Sequence, residues 1–360
     1  MDYKSRIITY GELRRGFTVE NDKYGITTYE LESRRKAFLS NPSGWEEDDP
    51  YLYIAFDGNV PIGRTMFFRS RLKAGDVIIP IYSGSAFDVV ESYRKEGVGG
   101  YVFWDGYKIE KRNPQISAGI SDDAIPLFRR LKNVVFEFPR MMQLRDSKPL
   151  LKSKGFEGPL LVVVSGLFNV ALHSFYNLFE LFSPIPRGYE LRLMTQVPEW
   201  VDNIVLNDGH KYMEVHDHQW LQWCLDNKFT DVSQDRQSFY GVFRSDEPVA
   251  FFMINIRYRN EIKGMQDVVL GSIMEWGVSN NSTLCEFDLY KMAKTVFPKD
   301  VSIIQAASDD ICTLKKMKQW GFVHHGDARI SFKDKKKKIT DANDPSLWRL
   351  RFGYTDVILF

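Results

Sequence analysis

Cysteine is scarce in this chain: Cys224, Cys285 and Cys312 are the only three in 360 residues. They are far apart and odd in number, so a disulfide framework is not expected and a reducing compartment, the cytoplasm, is. Net charge is nearly absent too. Lys and Arg number 48 against 47 Asp and Glu, a formal balance of +1, so no overall field draws the chain to nucleic acid or to an acidic membrane. The opening MDYKSRIITYGELRRGF holds no apolar run, and no secretory signal is expected there. No glycine loop ends in Gly-Lys-Ser/Thr and no Gly-x-Ser-x-Gly elbow occurs, which sets aside a Walker-type nucleotide site and a serine hydrolase. His216-Asp217-His218 comes nearest to a metal motif. Residues two apart on a helix point to different faces and no third ligand is evident, so no metal is expected.

What is present is the balance of a soluble globular protein, 44% hydrophobic and 26% charged residues, in a chain long enough for two domains. One run challenges that reading. PLLVVVSGLFNVALHSFYNLFELF, residues 159–182, approaches a membrane span in length. It contains Ser165, Asn169, His173, Ser174, Asn177 and Glu180, which are costly in lipid. A buried helix linking two domains is expected, with peripheral contact at a membrane surface as the alternative and no span. The boundaries follow: 1–150, a connector at 151–187, and 188–360.

The halves share a cadence of hairpin, strand, helix, strand and helix. SAGISDDAIPLFRRLKNV (117–134) aligns with QAASDDICTLKKMKQWGF (305–322). In each a short strand leads into Ser-Asp-Asp and an apolar-faced helix with a basic end, with Ser121 and Ser308 as expected N-caps. An internal duplication is the preferred reading. A helix is expected over 27–42, capped by Thr27 or Thr28 and stopped at Asn41-Pro42. Two strands are expected over 51–73 around the turn Asp57-Gly58-Asn59, and a further strand region over 76–90 that bends near Pro80 or Ser83-Gly84-Ser85.

The densest signal is DVVESYRKEGVGGYVFWDGYKIEKR, residues 88–112. Apolar strand residues end in Arg94-Lys95-Glu96-Gly97-Val98-Gly99-Gly100, and an amphipathic helix expected over 98–112 begins there. Glycine lets other atoms approach the backbone closely. A helix start presents unpaired N–H groups and a positive dipole end. Together they suit phosphate, with Arg94 and Lys95 adding charge.

Arg94-x-x-Gly97-x-Gly99 resembles the acyl-coenzyme A pyrophosphate loop of the GCN5-related N-acetyltransferases, Gln/Arg-x-x-Gly-x-Gly/Ala. The order of elements over 27–131 is similar to theirs. The whole chain resembles tandem proteins of that kind associated with bacterial surface-polysaccharide genes, whose two domains are joined by an apolar helix, and the tail WRLRFGYTDVILF is similar to their ending. The resemblance implies an α+β chain of two tandem units, each with a mixed sheet that splays beside its long strand. It implies acetyl-coenzyme A as co-substrate. Lys95, Glu96, Gly97, Val98, Gly99 and Gly100 would hold the pyrophosphate beside Arg94. Phe87, Asp88 and Val89 would pair with the pantetheine, and the helix after Ser121, with Phe128, would flank the thioester.

Departures from the pattern bear on mechanism. Phe128 stands where the resemblance implies a tyrosine to protonate the leaving thiolate, and no carboxylate lies near Ser83, where a base sometimes sits. Asp88 and Tyr93, with Tyr82, remain as candidates for proton handling; proximity and a water relay can serve amine acylation without them. Asn280-Asn281-Ser282-Thr283, the matching joint in the second half, has neither glycine nor arginine, and that unit reads as a degenerate copy. The expected activity is N-acyl transfer to the amine of an amino sugar or other small molecule. The alternatives are a non-catalytic acyl-coenzyme A sensor and an aminoacyl-tRNA-dependent transferase of the peptidoglycan type. Near-zero charge and the intact loop weigh against the last. Oligomeric state is not legible here.

Overall fold

The computed structural model describes residues 3–26, 32–106, 113–227, 232–262, 264–336, 339 and 341–355. The first half runs β1 (Lys4–Thr9), α1 (Tyr10–Arg15), α2 (Glu32–Leu39), β2 (Pro50–Asp57), β3 (Val60–Ala74), β4 (Val77–Val89), α3 (Val98–Gly106), β5 (Gln115–Ala118), α4 (Ile125–Arg130) and β6 (Val134–Leu144). Next come α5 (Lys148–Ser153) and α6 (Gly158–Phe182). The second half runs β7 (Glu190–Met194), α7 (Trp200–Leu206), β8 (Tyr212–Glu214), α8 (His218–Asp226), β9 (Arg236–Arg244), β10 (Glu247–Ile262), β11 (Met265–Val278), α9 (Glu286–Val296), β12 (Ile303–Ala307), α10 (Ile311–Gln319) and β13 (Val323–Lys333). The class is α+β, a large mixed sheet with helices against it.

Local chemistry explains most of these boundaries. Gly58, at φ +59°, turns β2 into β3. Ser245 and Asp246, both at positive φ, make the two-residue turn between β9 and β10; that geometry matches the right-handed twist of paired strands. Thr9 and Glu12 reciprocally cap α1. The caps expected at Ser121 and Ser308 are not what starts the later helices. The Ser121 carbonyl accepts the Ala124 and Ile125 amides, and α4 begins behind it with Pro126 in its first turn. In α10 the Asp310 carboxylate accepts the Cys312 and Thr313 amides, while Ser308 Oγ holds the Asp310 amide 3.1 Å away. Thr27, Thr28 and the expected end of the helix at 107–112 lie outside the described residues.

Sheet connectivity departs from the expectation of one separate sheet per half. All the strands join one 13-stranded sheet, in the order β1-β2-β3-β4-β5-β13-β6-β12-β11-β10-β9-β7, with β8 on β3. Both neighbours of β6 belong to the second half, and both neighbours of β13 to the first. Ile330 pairs with Ala118 on one flank of β13 and with Phe136 on the other, while Ala307 pairs with Arg140. Each half thus gives its last strand to the other, and no open edge is left at the seam. A shared core reinforces the join: Phe38, Tyr51 and Phe68 pack with Val201, Trp220, Trp223 and Phe251, and Trp223 Nε1 donates to the Ala37 carbonyl at 2.8 Å.

The apolar connector is a helix, as expected, but it is not buried between domains. Leu167, Val170, Leu181 and Phe182 are 67–81% exposed, and Leu161, Ser165 and Tyr176 make the buried line of α6. Its few polar groups tether that line. Asn169 accepts the Ser147 amide and donates to Asp146, both at 2.8 Å, and Glu180 pairs with Lys294 at 2.7 Å. The helix lies along the outside of the protein, and the seam between the halves is made by β6 and β13. By length and composition this helix alone, among those described, is apolar enough to cross a membrane.

Candidate functional site

Two long strands shape the site. β4 is paired along its whole length with β3, but with β5 only at Tyr82–Gly84 against Gln115–Ser117. Past Gly84 the two parallel strands splay. The bend expected at Pro80 or Ser83-Gly84-Ser85 comes instead at Ala86, φ +49°. There Ala86 and Phe87 together oppose Thr65, a bulge between the pairs Met66–Ser85 and Arg64–Asp88. Pro80 sits where β4 has only one neighbour, so the ladder tolerates its missing N–H. Arg64, buried, braces the bulge by donating to the Ala86 carbonyl at 3.3 Å and to the Ile26 carbonyl.

The splay opens a cavity of about 280 Å³ lined by Gly84–Phe87 on one wall and Ser117–Ser121 on the other, with Thr65, Phe103, Ala124 and Phe128. Phe87, Phe103 and Phe128 form an edge-to-face series with centroids 4.7 and 4.8 Å apart. The structure therefore brings Phe87, Ser121 and Phe128 together in one slot. Among the described residues that line it, no side chain is ionisable near neutral pH; the polar ones are hydroxyls.

The glycine loop lies behind Phe87, and none of residues 94–100 lines the cavity itself. Glu91–Glu96 forms a 3₁₀ turn, and Gly97 follows in the left-handed conformation at φ +81°. α3 then starts at Val98, so the first-turn amides of Val98, Gly99 and Gly100 have no partner within the helix. Val98 is buried against Gly63, where a Cβ would meet it at 3.2 Å. Gly99 faces Phe87 closely: a Cβ there would lie 3.1 Å from Phe87 Cζ. Arg94, Lys95 and Glu96 are exposed. Arg94 Nε donates to the Val89 carbonyl at 3.0 Å, which folds the side chain back over the strand end.

The two proton-handling candidates sit away from the slot. Asp88 lies 3.9 Å from both the Arg64 and Arg94 guanidinium groups. The Tyr93 hydroxyl donates to Asp57 at 2.9 Å, and that bond raises its pKa. Neither side chain lines the cavity. Tyr82 is buried and donates to Asp49 at 2.8 Å; burial and that bond push its pKa to about 12.

A carboxylate does stand at Ser83, supplied from the other half. Ser83 Oγ donates to Glu214 Oε1 at 2.8 Å, as Ser70 Oγ does at 2.6 Å, and the Thr355 amide donates to Oε2 at 2.6 Å. His216 lies between Glu214 and Glu275, its Nε2 3.2 Å from Glu214 and its Nδ1 on Glu275, stacked on Trp220 at 3.5 Å. Arg351 pairs with Glu275 at 2.6 Å. Burial opposes the His216 charge, but the two carboxylates outweigh it and its pKa is raised. Sequence reasoning missed this cluster, since no local pattern links residues 59 to 144 positions apart. Glu214 and His216 are fully enclosed, which suits a structural tie. His218 turns away to Asp202 at 2.6 Å.

In the second half Asn280 and Asn281 border a separate cavity of about 420 Å³ with Trp200, Asn203 and Asn207. Asn280 donates to the Asn207 carbonyl at 2.9 Å. Trp220 and Trp223 are buried in the core.

No family model matches the chain, and no curated protein matches its sequence. Solved structures do match its fold. A GCN5-related N-acetyltransferase from Anabaena variabilis superposes with a TM-score of 0.54 at 9% identity, over 92% of this chain and 72% of that one. N-myristoyltransferase of Saccharomyces cerevisiae with bound myristoyl-CoA and inhibitors gives 0.57 at 11%, over 92% and 80%. A probable N-acyltransferase from Enterococcus faecalis gives 0.52 at 12%, over 92% and 72%. The fold is that of the acyl-CoA N-acyltransferases.

Proposed function

We propose that the protein is an acyl-coenzyme A-dependent N-acyltransferase, with acetyl as the donor group and a small-molecule amine, such as an amino sugar, as acceptor. The observation that carries this reading is the slot at the β4–β5 splay, opening beside a glycine-rich helix start. The slot suits the arm of a coenzyme A thioester and the loop suits its pyrophosphate. The solved N-myristoyltransferase, which shares the fold, holds myristoyl-CoA. In the reaction an amine nitrogen bonds to the thioester carbonyl carbon, the C–S bond breaks, and the nitrogen's proton passes to the departing sulfur. With no ionisable side chain among the described residues of the slot, rate enhancement comes from holding the two reactants in place, and water carries the proton.

Free-thiol release from acetyl-coenzyme A with a panel of amines tests the reading. Release with at least one amine supports it. Tight coenzyme binding without release from any amine favours the non-catalytic sensor, which Phe128 and the hydroxyl-only slot would also fit. The exposed apolar face of α6 supports a place for this activity at a membrane surface, the helix lying in the interface.

A further inference from the structure

A second, larger cavity lies over the central strands. It measures about 570 Å³ and shares Ala118–Ser121 with the coenzyme slot, so the two meet at the end of β5. Its volume is that of a small-molecule pocket. Both halves build it: Arg140 from β6, Arg329 and His325 from β13, Arg257 from β10 and Arg351 from the tail. Met142, Leu270 and Ile303 give it an apolar floor.

The cations are not equally neutralised. Arg329 is held by Asp122 at 2.5 Å and Glu137 at 3.5 Å. Arg351 is held by Glu275 at 2.6 Å and Asp208 at 3.5 Å. Asp327, which also lines the cavity, faces His324 at 3.0 Å. Arg140 has no carboxylate in ion-pair contact among the described residues; its Nε donates to the His325 carbonyl at 3.3 Å. Half-buried, it feels burial and Arg329 against its charge, with Asp327 opposing them, and its pKa is lowered. A partly desolvated guanidinium with its fork unfilled is suited to a planar or tetrahedral oxyanion.

We infer that this cavity is the acceptor pocket and that it selects an amine bearing an oxyanion, carboxylate or phosphate, with Arg140 as the anchor. The inference rests on the acyltransferase reading. Arg140 is a specificity-determining residue, and the amine end of the acceptor reaches toward Ala118–Ser121, where the slot begins.

The test compares matched pairs: glucosamine 6-phosphate with glucosamine, phosphoethanolamine with ethanolamine, and β-alanine with propylamine. Thiol release gives KM, and calorimetry on coenzyme A-loaded protein gives affinity without turnover. The anionic member of a pair is expected to bind about tenfold to a hundredfold better, the scale of a charge-assisted hydrogen bond. That preference disappears in Arg140→Gln and returns in part in Arg140→Lys. Phosphate against carboxylate ranking tells which oxyanion is meant. Equal binding within every pair, no binding of any anionic member, or a preference that survives Arg140→Gln overturns the inference. Thermal stabilisation by coenzyme A in Arg140→Gln separates the two readings: if coenzyme A stabilises neither wild type nor variant, the acyltransferase reading falls by itself.

Discussion

At Gly99 the missing Cβ would press on Phe87, a wall of the slot, from 3.1 Å. At Gly97 nothing lies within 4 Å, and the constraint is its φ of +81°. The two glycines therefore serve different ends, space and backbone conformation. Gly99→Val is expected to displace Phe87 and abolish the rise in Tm caused by coenzyme A, while Asn281→Leu in the second half keeps it; an equal rise in both variants contradicts the assignment of the loop. A second residue-scale expectation concerns Glu286, buried at the start of α9 and accepting the Tyr290 hydroxyl. Burial pushes its pKa up to about 7 although Arg349 opposes the shift. The folded state thus holds this proton more tightly than the unfolded chain. Stability attributable to the group falls as pH rises between the ordinary carboxylate pKa and about 7, and is flat above that. Glu286→Gln keeps an acceptor for Tyr290 without the charge. Its stability relative to wild type should grow between pH 5 and pH 8, by on the order of 3 kcal/mol at most. Thermal unfolding at the two pH values reads this, and a pH-independent difference rules it out.

Among the elements, α6 shows most directly how one helix serves two environments. Tyr176 packs against Gly321 so closely that a Cβ there would stand 2.4 Å from Tyr176 Cε1, and Gly321 itself has φ +85°. Tyr176→Ala is expected to cost about 3 kcal/mol in denaturant unfolding, as other large-to-small core changes do. On the opposite side Leu167 and Val170 touch nothing that the fold requires. Leu167→Glu with Val170→Glu should alter stability by no more than about 0.5 kcal/mol each but abolish co-flotation with vesicles of mixed anionic and neutral lipid. Flotation that persists in the double variant would exclude α6 as the membrane contact. Of the polar residues that argued against a span, Asn169 and Glu180 tether the helix to the protein's flank, while His173, Ser174 and Asn177 are exposed.

For the whole molecule, the exchanged strands and the buried cluster around Glu214 make the halves interdependent. Because both partners of β6 come from the second half, residues 1–150 alone are expected to show no cooperative thermal transition, and adding residues 151–360 should restore one. A cooperative transition in the isolated fragment would mean that its strands pair without β13. Within the cluster, His216→Gln removes an imidazole, favoured in its charged form by its raised pKa, from between Glu214 and Glu275, and leaves Arg351 paired with Glu275. The expected loss is about 3–5 kcal/mol, the scale for breaking a buried ion pair, seen in the urea midpoint.

Much of this was legible from local sequence. Strand alternation, the turn at Gly58, the glycine joint at 97–100 and the matching Ser-Asp-Asp units determine element order, because each is a short-range matter of backbone preference and apolar period. They determine the glycine-rich joint of the proposed coenzyme site and the want of its counterpart at 280–283 for the same reason. The tertiary structure alone decided the pairing of β6 and β13, the carboxylate brought to Ser83, the outward face of α6 and the place of Arg140 in the larger cavity. Each of these depends on which distant segments meet, and a residue's partner a hundred or more positions away leaves no mark on the residues around it.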